Sequence, residues 1–384
     1  MKVGLVTLYR GYNYGTSLQA YALKCFVSSL GYQSEIIWLS EGVNKGRDVR
    51  FAKIVKMLWR CLWHPQLLKH TFLSYKNSFS KPISLEIKAK FLKFTREKLQ
   101  IKGFPEKHLK AFSADQATLA VICGSDQIWS AVTANVDPLY FLRFVPEQKR
   151  VAYAPSFGST VVPQYNKKIL AKYIKEIPFV SVREEGGIRI VKELTGRDVP
   201  VLIDPTLLLD WEDFGAASVC GDYIVAYFLD TPNSAALESI KCISCKYNCQ
   251  IIAFPYKYTD YQQFNNIMYY PAGPIDFIRL IKGARCVLTD SFHGTVFSIN
   301  LQVPFWTFER NYASGKGQND RIISILKKTG LSSHYVTSVC TRELDIPADE
   351  AVLKNAKQWI KMQREVSRDY LQTALHYIGA HKYA

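Results

Sequence analysis

Asp290-Ser291-Phe292-His293-Gly294-Thr295 sets a carboxylate, two hydroxyls, an imidazole and a glycine where an apolar run, 285–289, gives way to a helical one. At such a junction the first N–H groups of the helix, and the positive end of its dipole, face outward toward an anion. Ser291 and Thr295 add hydroxyl donors, Gly294 permits close backbone approach, and His293 titrates near neutrality. The same residues also suit a helix cap with a packed histidine. Arg183, in Ser181-Val182-Arg183-Glu184, ends another apolar run. Its guanidinium can grip phosphate or carboxylate with two parallel bonds, or pair with Glu184 or Glu185 on the surface. Arg310, Lys316 and Arg321 surround a glycine-containing loop, 311–320. Loops of this kind close over anionic substrates; a solvated charge cluster is the plainer alternative.

Gly124-Ser125-Asp126-Gln127-Ile128-Trp129 combines a carboxylate, an amide and an indole, groups suited to the hydroxyls and apolar face of a sugar. Its alternative is a packed Trp129 and an Asp126 that caps a helix. Gly11-Tyr12-Asn13-Tyr14-Gly15 has glycines without the spacing of a dinucleotide loop. Cys242, Cys245 and Cys249 fall on one face of an expected helix over 233–248, but no fourth Cys or His completes a tetrahedral site. They read as helical cysteines, and no metal site is expected.

Positioning these groups takes a repeated strand-then-helix rhythm. An apolar strand at 3–8 leads through a loop to a helix, capped by Thr16 or Ser17 and ended by Gly31, and then to a strand at 34–39. That β-loop-α-β order implies a parallel sheet. Further strands are expected at 119–123, 150–154, 179–182 and 200–203, each with small or polar residues at its C-terminal end, where open α/β sheets hold ligands. A second unit has strands at 223–229, 251–254, 285–289 and 304–307, with helices at 274–282, 320–329 and 349–378. The expected division is 1–209 and 210–384, two lobes facing across a cleft.

A chain of 384 residues exceeds the roughly 250–300 at which single cores stop growing, which also favours two domains. With 48% hydrophobic and 21% charged residues it is globular in composition, not disordered or fibrous. No apolar run reaches the roughly 18 residues of a membrane span. The first apolar run is too short for a signal peptide, and nine scattered cysteines fit a reducing compartment, so a cytoplasmic location is expected. The net charge of +16 is uneven. Residues 44–110 hold 17 Lys/Arg and four Asp/Glu, whereas the other 317 residues hold 32 and 29. A single basic insert without a nucleic-acid module points to a local docking surface, and no nucleic-acid partner is expected. Helical runs are expected at 51–63 and 86–99, with no clear strand between 44 and 110. In the first, Ile54, Val55, Leu58, Trp59 and Leu62 form a stripe opposite Lys53, Lys56 and Arg60. That pattern fits an anionic membrane surface, or a stripe packed on the protein itself.

Six short segments, in order, resemble the polysaccharide pyruvyl transferase family. They are Asn13-Tyr14-Gly15-Thr16-Ser17-Leu18-Gln19-Ala20-Tyr21-Ala22-Leu23, Gly124-Ser125-Asp126-Gln127-Ile128-Trp129, Tyr153-Ala154-Pro155-Ser156-Phe157-Gly158, Ser181-Val182-Arg183-Glu184, Asp204-Pro205-Thr206-Leu207-Leu208 and the His293 segment. The resemblance covers roughly 1–330. It implies two Rossmann-like lobes arranged as in GT-B glycosyltransferases, with the acceptor on the first lobe and the donor on the second. It further implies transfer of the enolpyruvyl carbon of phosphoenolpyruvate onto two hydroxyls of one sugar, giving a pyruvate ketal and phosphate without a cofactor.

By position, Arg183 and His293 match basic residues that the family places around phosphoenolpyruvate. Some relatives carry Arg where this chain has Ser291, so the donor site here is expected to draw on Phe292, Gly294, Thr295, Arg310 and Arg321 as well. His293 would act as general acid or hold the phosphate, and Asp126 would orient or deprotonate the acceptor. Asn13, Tyr14, Ser125, Gln127 and Trp129 would complete the acceptor side. The expected acceptor is a polyprenyl-diphosphate-linked sugar of a bacterial surface polysaccharide, met at the inner membrane face. A GT-B glycosyltransferase using a nucleotide sugar is the competing reading.

Overall fold

The computed structural model describes residues 1–39, 59, 62, 83–133, 136–215, 219, 221–254, 261, 264–310, 319–337 and 343–381. The first unit runs β1 (Lys2–Val6), α1 (Tyr14–Ser29), β2 (Gln33–Leu39), α2 (Leu85–Phe94), β3 (Lys102–Phe104), α3 (Glu106–Ala114), β4 (Thr118–Cys123), β5 (Arg150–Ala152), α4 (Gln164–Lys175), β6 (Phe179–Val180) and α5 (Glu185–Thr195). The second runs β7 (Tyr223–Tyr227), α6 (Ser234–Lys246), β8 (Gln250–Ala253), β9 (Ile267–Tyr269), α7 (Pro274–Lys282), β10 (Cys286–Thr289), α8 (Phe292–Leu301), β11 (Phe305–Phe308), α9 (Asp320–Lys328), β12 (Tyr335–Val336) and α10 (Glu350–Ala380).

Two six-stranded sheets result, in the orders β3-β2-β1-β4-β5-β6 and β12-β11-β10-β7-β8-β9. Counted within each unit, both are the 3-2-1-4-5-6 order of dinucleotide-binding folds. Every strand pair is parallel. The central strands are buried throughout, as a sheet covered by helices on both faces requires. The chain is an α/β protein of two Rossmann-like lobes in a GT-B-like arrangement. The loops after β1, β4, β7 and β10 therefore lie at the sheet edge where open α/β folds take ligands.

The lobes are joined over a wide apolar seam. One core cluster runs from Val3, Leu18 and Phe91 in the first lobe to Tyr227, Phe277 and Phe297 in the second. α10 crosses back over it. Its first half sends the Lys357 ammonium to the carbonyl of Asn300, and its second half sends the Tyr370 hydroxyl to the carbonyl of Ala152. The expected closing helix thus ties both lobes. No helix among the described residues is long and apolar enough to cross a membrane.

The basic insert differs from the reading above. Residues 102–104 form β3 against β2, a strand too short to show in the sequence pattern. α2 also packs rather than standing free: Ile87, Phe91 and Phe94 are buried, and Lys90 bonds the carbonyl of Pro271 and pairs with Asp276 across the seam. Of the apolar stripe over 51–63, only Trp59 and Leu62 lie within the described residues, both helical and exposed. Residues 200–203 form only a bridge between Val182 and Val201, not a strand.

Candidate active site at the lobe interface

α1 and α8 meet end to end, and their sequences explain why. Asn13 caps α1 by accepting from the Thr16 N–H at 3.1 Å, so the helix starts earlier than a Thr16 or Ser17 cap would allow. Ser291 caps α8 by accepting from the Gly294 N–H, while the Ser291 N–H donates to Thr289. First-turn N–H groups such as those of Phe292 and His293 have no carbonyl four residues back within the helix. Gly15 lies so near His293 that a Cβ there would sit 2.0 Å from the imidazole ring. Only glycine lets the two helix ends approach this closely.

Around His293 is a buried charged cluster drawn from both lobes. Arg183 donates to Asp204 Oδ2 at 2.6 Å and lies 3.8 Å from both Asp126 and Glu184. His293 Nε2 is 3.9 Å from the same Asp204 oxygen. Thr16 donates to Asp126 at 2.8 Å; Glu184 accepts from the Ser156 hydroxyl and the Phe157 N–H; Asp204 accepts from the N–H and hydroxyl of Thr206. Over the Phe292 ring lie two guanidiniums, Arg183 at 4.7 Å and Arg321 at 5.6 Å from its centre. Five buried atoms here have no hydrogen-bond partner: Nε and a terminal nitrogen of Arg183, Nε of Arg321, Nε2 of His293 and Oε2 of Glu184. Unsatisfied buried donors are costly, and an anion bonded to them would remove that cost.

Charge balance sets the protonation states. Burial acts to lower the Arg183 pKa, but Asp204, Asp126 and Glu184 outweigh it and hold the guanidinium above its ordinary value. Burial acts to raise Asp126, yet Arg183, His293, Arg321 and the Thr16 hydroxyl together hold it below the usual carboxylate range. Glu184 goes the other way: burial raises it despite Arg183, Ser156 and Phe157. His293 is lowered by burial, with Arg183 and Arg321 adding to that effect and Asp204 and Asp126 opposing it. These influences together bias the imidazole toward its neutral form. Next to this cluster, a crevice lined by Arg183, Asp204, Phe292, Arg321, Lys328 and Trp359 has about 30 Å³ of free space, room for a few waters.

The expected site residues thus divide. Asp126, Arg183, Phe292, His293 and Arg321 converge. Ser291, Gly294 and Thr295 serve the helix start: Thr295 Oγ1 donates to the Ser291 carbonyl, and Gly294 fits against Thr289. Arg310 stands elsewhere, 3.7 Å from both Asp230 and Asp290. On the acceptor side, Trp129 is a core residue, stacked on Phe141 at 5.2 Å with its N–H bonded to the Tyr140 carbonyl. Tyr14 is also buried, stacked on Phe277 of the other lobe at 4.8 Å. Ser125 spends its hydroxyl on the Ala154 carbonyl, and Gln127 packs against Gly158. Lys316 and residues 311–318 of the loop lie outside the described residues. Cys249 lies beyond the end of α6 and is buried, whereas Cys245 is exposed, so the three cysteines do not share a face.

Thr16, Glu184 and Asp204 were missed as site residues. Each lies inside a segment noted above, at a strand end or helix start, but nothing in their spacing shows that they face one another across the sheet edge.

Backbone likeness to solved structures is broad and distant. S. aureus MnaA in a UDP co-structure has a TM-score of 0.48 at 9% identity, covering 97% of this chain and 90% of that one. UDP-GlcNAc 2-epimerase from Neisseria meningitidis bound to UDP-GlcNAc gives 0.45 at 9%, covering 97% and 94%. The glycosyltransferase SnogD from Streptomyces nogalater gives 0.42 at 10%, covering 97% and 99%. The fold assignment rests on the strand orders, not on these likenesses. No curated protein matches the chain. The family model for polysaccharide pyruvyl transferase matches residues 13–312, a span that holds both helix starts and every member of the buried cluster except Arg321. By that match, which extends over most of its length, the chain belongs to the polysaccharide pyruvyl transferase family.

Proposed function

We propose that this transferase uses phosphoenolpyruvate as donor and bridges two hydroxyls of one sugar with a cyclic pyruvate ketal. The observation that carries the reading is the pair of guanidiniums, Arg183 and Arg321, over Phe292 with unsatisfied N–H groups beside His293. A donor with a phosphate and a carboxylate supplies acceptors for several such groups at once. Its negative charge also raises the affinity of His293 for a proton, opposing the lowering that burial and the two arginines impose.

A proton from His293 goes to the terminal carbon of the donor, leaving positive character at the central carbon. One sugar hydroxyl adds there and loses its proton. The bond from the central carbon to the phosphate oxygen breaks, inorganic phosphate leaves, and the second hydroxyl adds to close the ketal; of the two hydroxyl protons, one restores His293 and the other departs with phosphate. Asp126, held anionic and fixed by Thr16, suits orientation of a hydroxyl more than its deprotonation. Glu184, raised in pKa with a free Oε2, suits proton acceptance.

The acceptor in this reading is a lipid-linked sugar precursor of a surface polysaccharide, and the basic segment 44–110 holds the enzyme at the anionic inner face of the membrane. Phosphate release from phosphoenolpyruvate, assayed against lipid-linked galactose- and N-acetylmannosamine-type acceptors, tests the whole reading. Release with one acceptor, and its loss in His293→Ala, is expected. No release with any acceptor, and no thermal shift with phosphoenolpyruvate, would refute it.

A further inference from the structure

A second cavity opens in the second lobe where β7, β10 and β11 end. It is lined by Phe228, Asp230, Asn233, Asp290, Phe308 and Arg310 together with Thr231, Pro232 and Glu309, and offers about 220 Å³ of free space. β7 and β10 are the neighbouring strands from which the sheet order runs in opposite directions, the place where open α/β sheets take ligands. None of the buried cluster around Arg183 lines it.

Its chemistry is opposite to that of the Arg183 crevice. Among the described residues its lining holds three acidic side chains, Asp230, Asp290 and Glu309, and one basic one, Arg310, which lies 3.7 Å from both Asp230 and Asp290, a balance that disfavours a phosphorylated donor. Asp290 is buried, with one oxygen accepting the Leu229 N–H at 2.6 Å and the other the Asp230 N–H at 3.1 Å. Each oxygen keeps acceptor capacity for a further donor. The floor is apolar: Phe228 and Phe308 are both buried, with ring centres 5.9 Å apart. Acceptor-rich walls over an aromatic floor suit a neutral ligand with many hydroxyls. Size narrows the class. A cavity of about 150 Å³ holds benzene, whereas drug-sized ligands take roughly 300–1,000 Å³, so this one fits a single substituted six-membered ring rather than a nucleotide.

We propose that this cavity binds one sugar ring of the acceptor through its hydroxyls, which moves acceptor recognition from the Trp129 segment to Asp230, Asp290, Glu309 and Arg310. The inference rests on the pyruvyl-transfer reading for the identity of the sugar as acceptor, and on the cavity alone for sugar binding. The probes are the methyl glycosides of galactose, glucose and N-acetylmannosamine, followed by saturation-transfer NMR on the full chain. At least one is expected to bind. Thr231→Phe, at an exposed position on the rim, should weaken it tenfold or more, and Glu309→Gln about fivefold, while both variants keep the parent unfolding temperature. Absence of binding by all three glycosides, or equal binding in parent and both variants, overturns the proposal. The thermal shift with phosphoenolpyruvate is read in parallel. If it is absent while glycoside binding responds to Thr231→Phe, the donor assignment fails and the sugar site stands.

Discussion

His293 is pulled in two directions, and the balance changes when a donor arrives. In the free enzyme, burial and the nearby Arg183 and Arg321 hold its pKa below the ordinary histidine value, against Asp204 and Asp126. A proton-donating His293 is then active in the free enzyme only below that lowered pKa, so kcat/KM for phosphoenolpyruvate should fall as pH rises through it. Bound phosphoenolpyruvate adds negative charge and raises the pKa, so the corresponding fall in kcat should lie at higher pH. Rate profiles with both limbs at one pH would exclude His293 as the group seen, as would retention of the kcat/KM limb in His293→Gln. The two arginines should separate by role. Arg183 is the buried partner of Asp204, so Arg183→Met strands carboxylates in the core and should cost about 3–5 kcal/mol of stability. Arg321 is half-buried and forms no ion pair within 4.0 Å among the described residues, so Arg321→Gln should keep the unfolding midpoint. Losing its charge-assisted bonds, worth roughly 1.5–3 kcal/mol, should lower kcat/KM for phosphoenolpyruvate about 10- to 100-fold. Equal loss of stability in both variants, measured by denaturant melts, would count against this division.

Helices α1 and α8 carry the site by their starts, and much of this was legible in advance. The strand-to-helix junction at 290–295 was readable because an apolar run, a capping serine and a glycine fall within a few residues. Arg183 was readable because it follows a run of buried type. Burial partners were not. Trp129 and Tyr14 have the composition of a sugar platform, but aromatic rings also serve cores, and only the fold shows Phe141 and Phe277 stacked on them. β3 escaped because three residues carry too little alternation to read, and the cap of α1 moved to Asn13 because Asn, Thr and Ser are all adequate caps. Gly15 gives this scale its test. Alanine is compatible with a helix, so Gly15→Ala should leave the helix intact while its Cβ displaces the imidazole or separates the lobes. Activity should drop at least 100-fold with little change in helix content by circular dichroism, since misplacement by about 1 Å can cost that factor. Near-parental activity in Gly15→Ala would mean that the close contact with His293 is not part of the working geometry.

Across the whole molecule, charge and catalysis occupy different ground. The +16 is concentrated in 44–110, yet among the described residues the buried cluster around His293 draws on none of that segment. Part of the insert is structural: Lys90 is engaged with Pro271 and Asp276, and β3 extends the first sheet. Leu85 and Leu92 of α2, together with Trp59 and Leu62, are exposed apolar residues in a segment whose sequence is rich in lysine and arginine. That mixture is what a surface needs to meet anionic head groups and the upper acyl region together. Attraction to an anionic leaflet is worth about 1 kcal/mol per basic residue near the surface, so replacing Lys53, Lys56 and Arg60 with Gln should weaken binding by about 3 kcal/mol, roughly 100-fold. Sedimentation with vesicles of phosphatidylglycerol and phosphatidylcholine measures this directly. Binding should need the anionic lipid, fall with added salt as the Debye length shortens, and drop in the triple variant. Phosphate release with a short soluble acceptor should be unchanged in that variant, because such an acceptor needs no membrane surface. Vesicle binding that ignores lipid charge, or that survives the triple substitution, would leave the basic insert without a membrane role and return its charge to solvent.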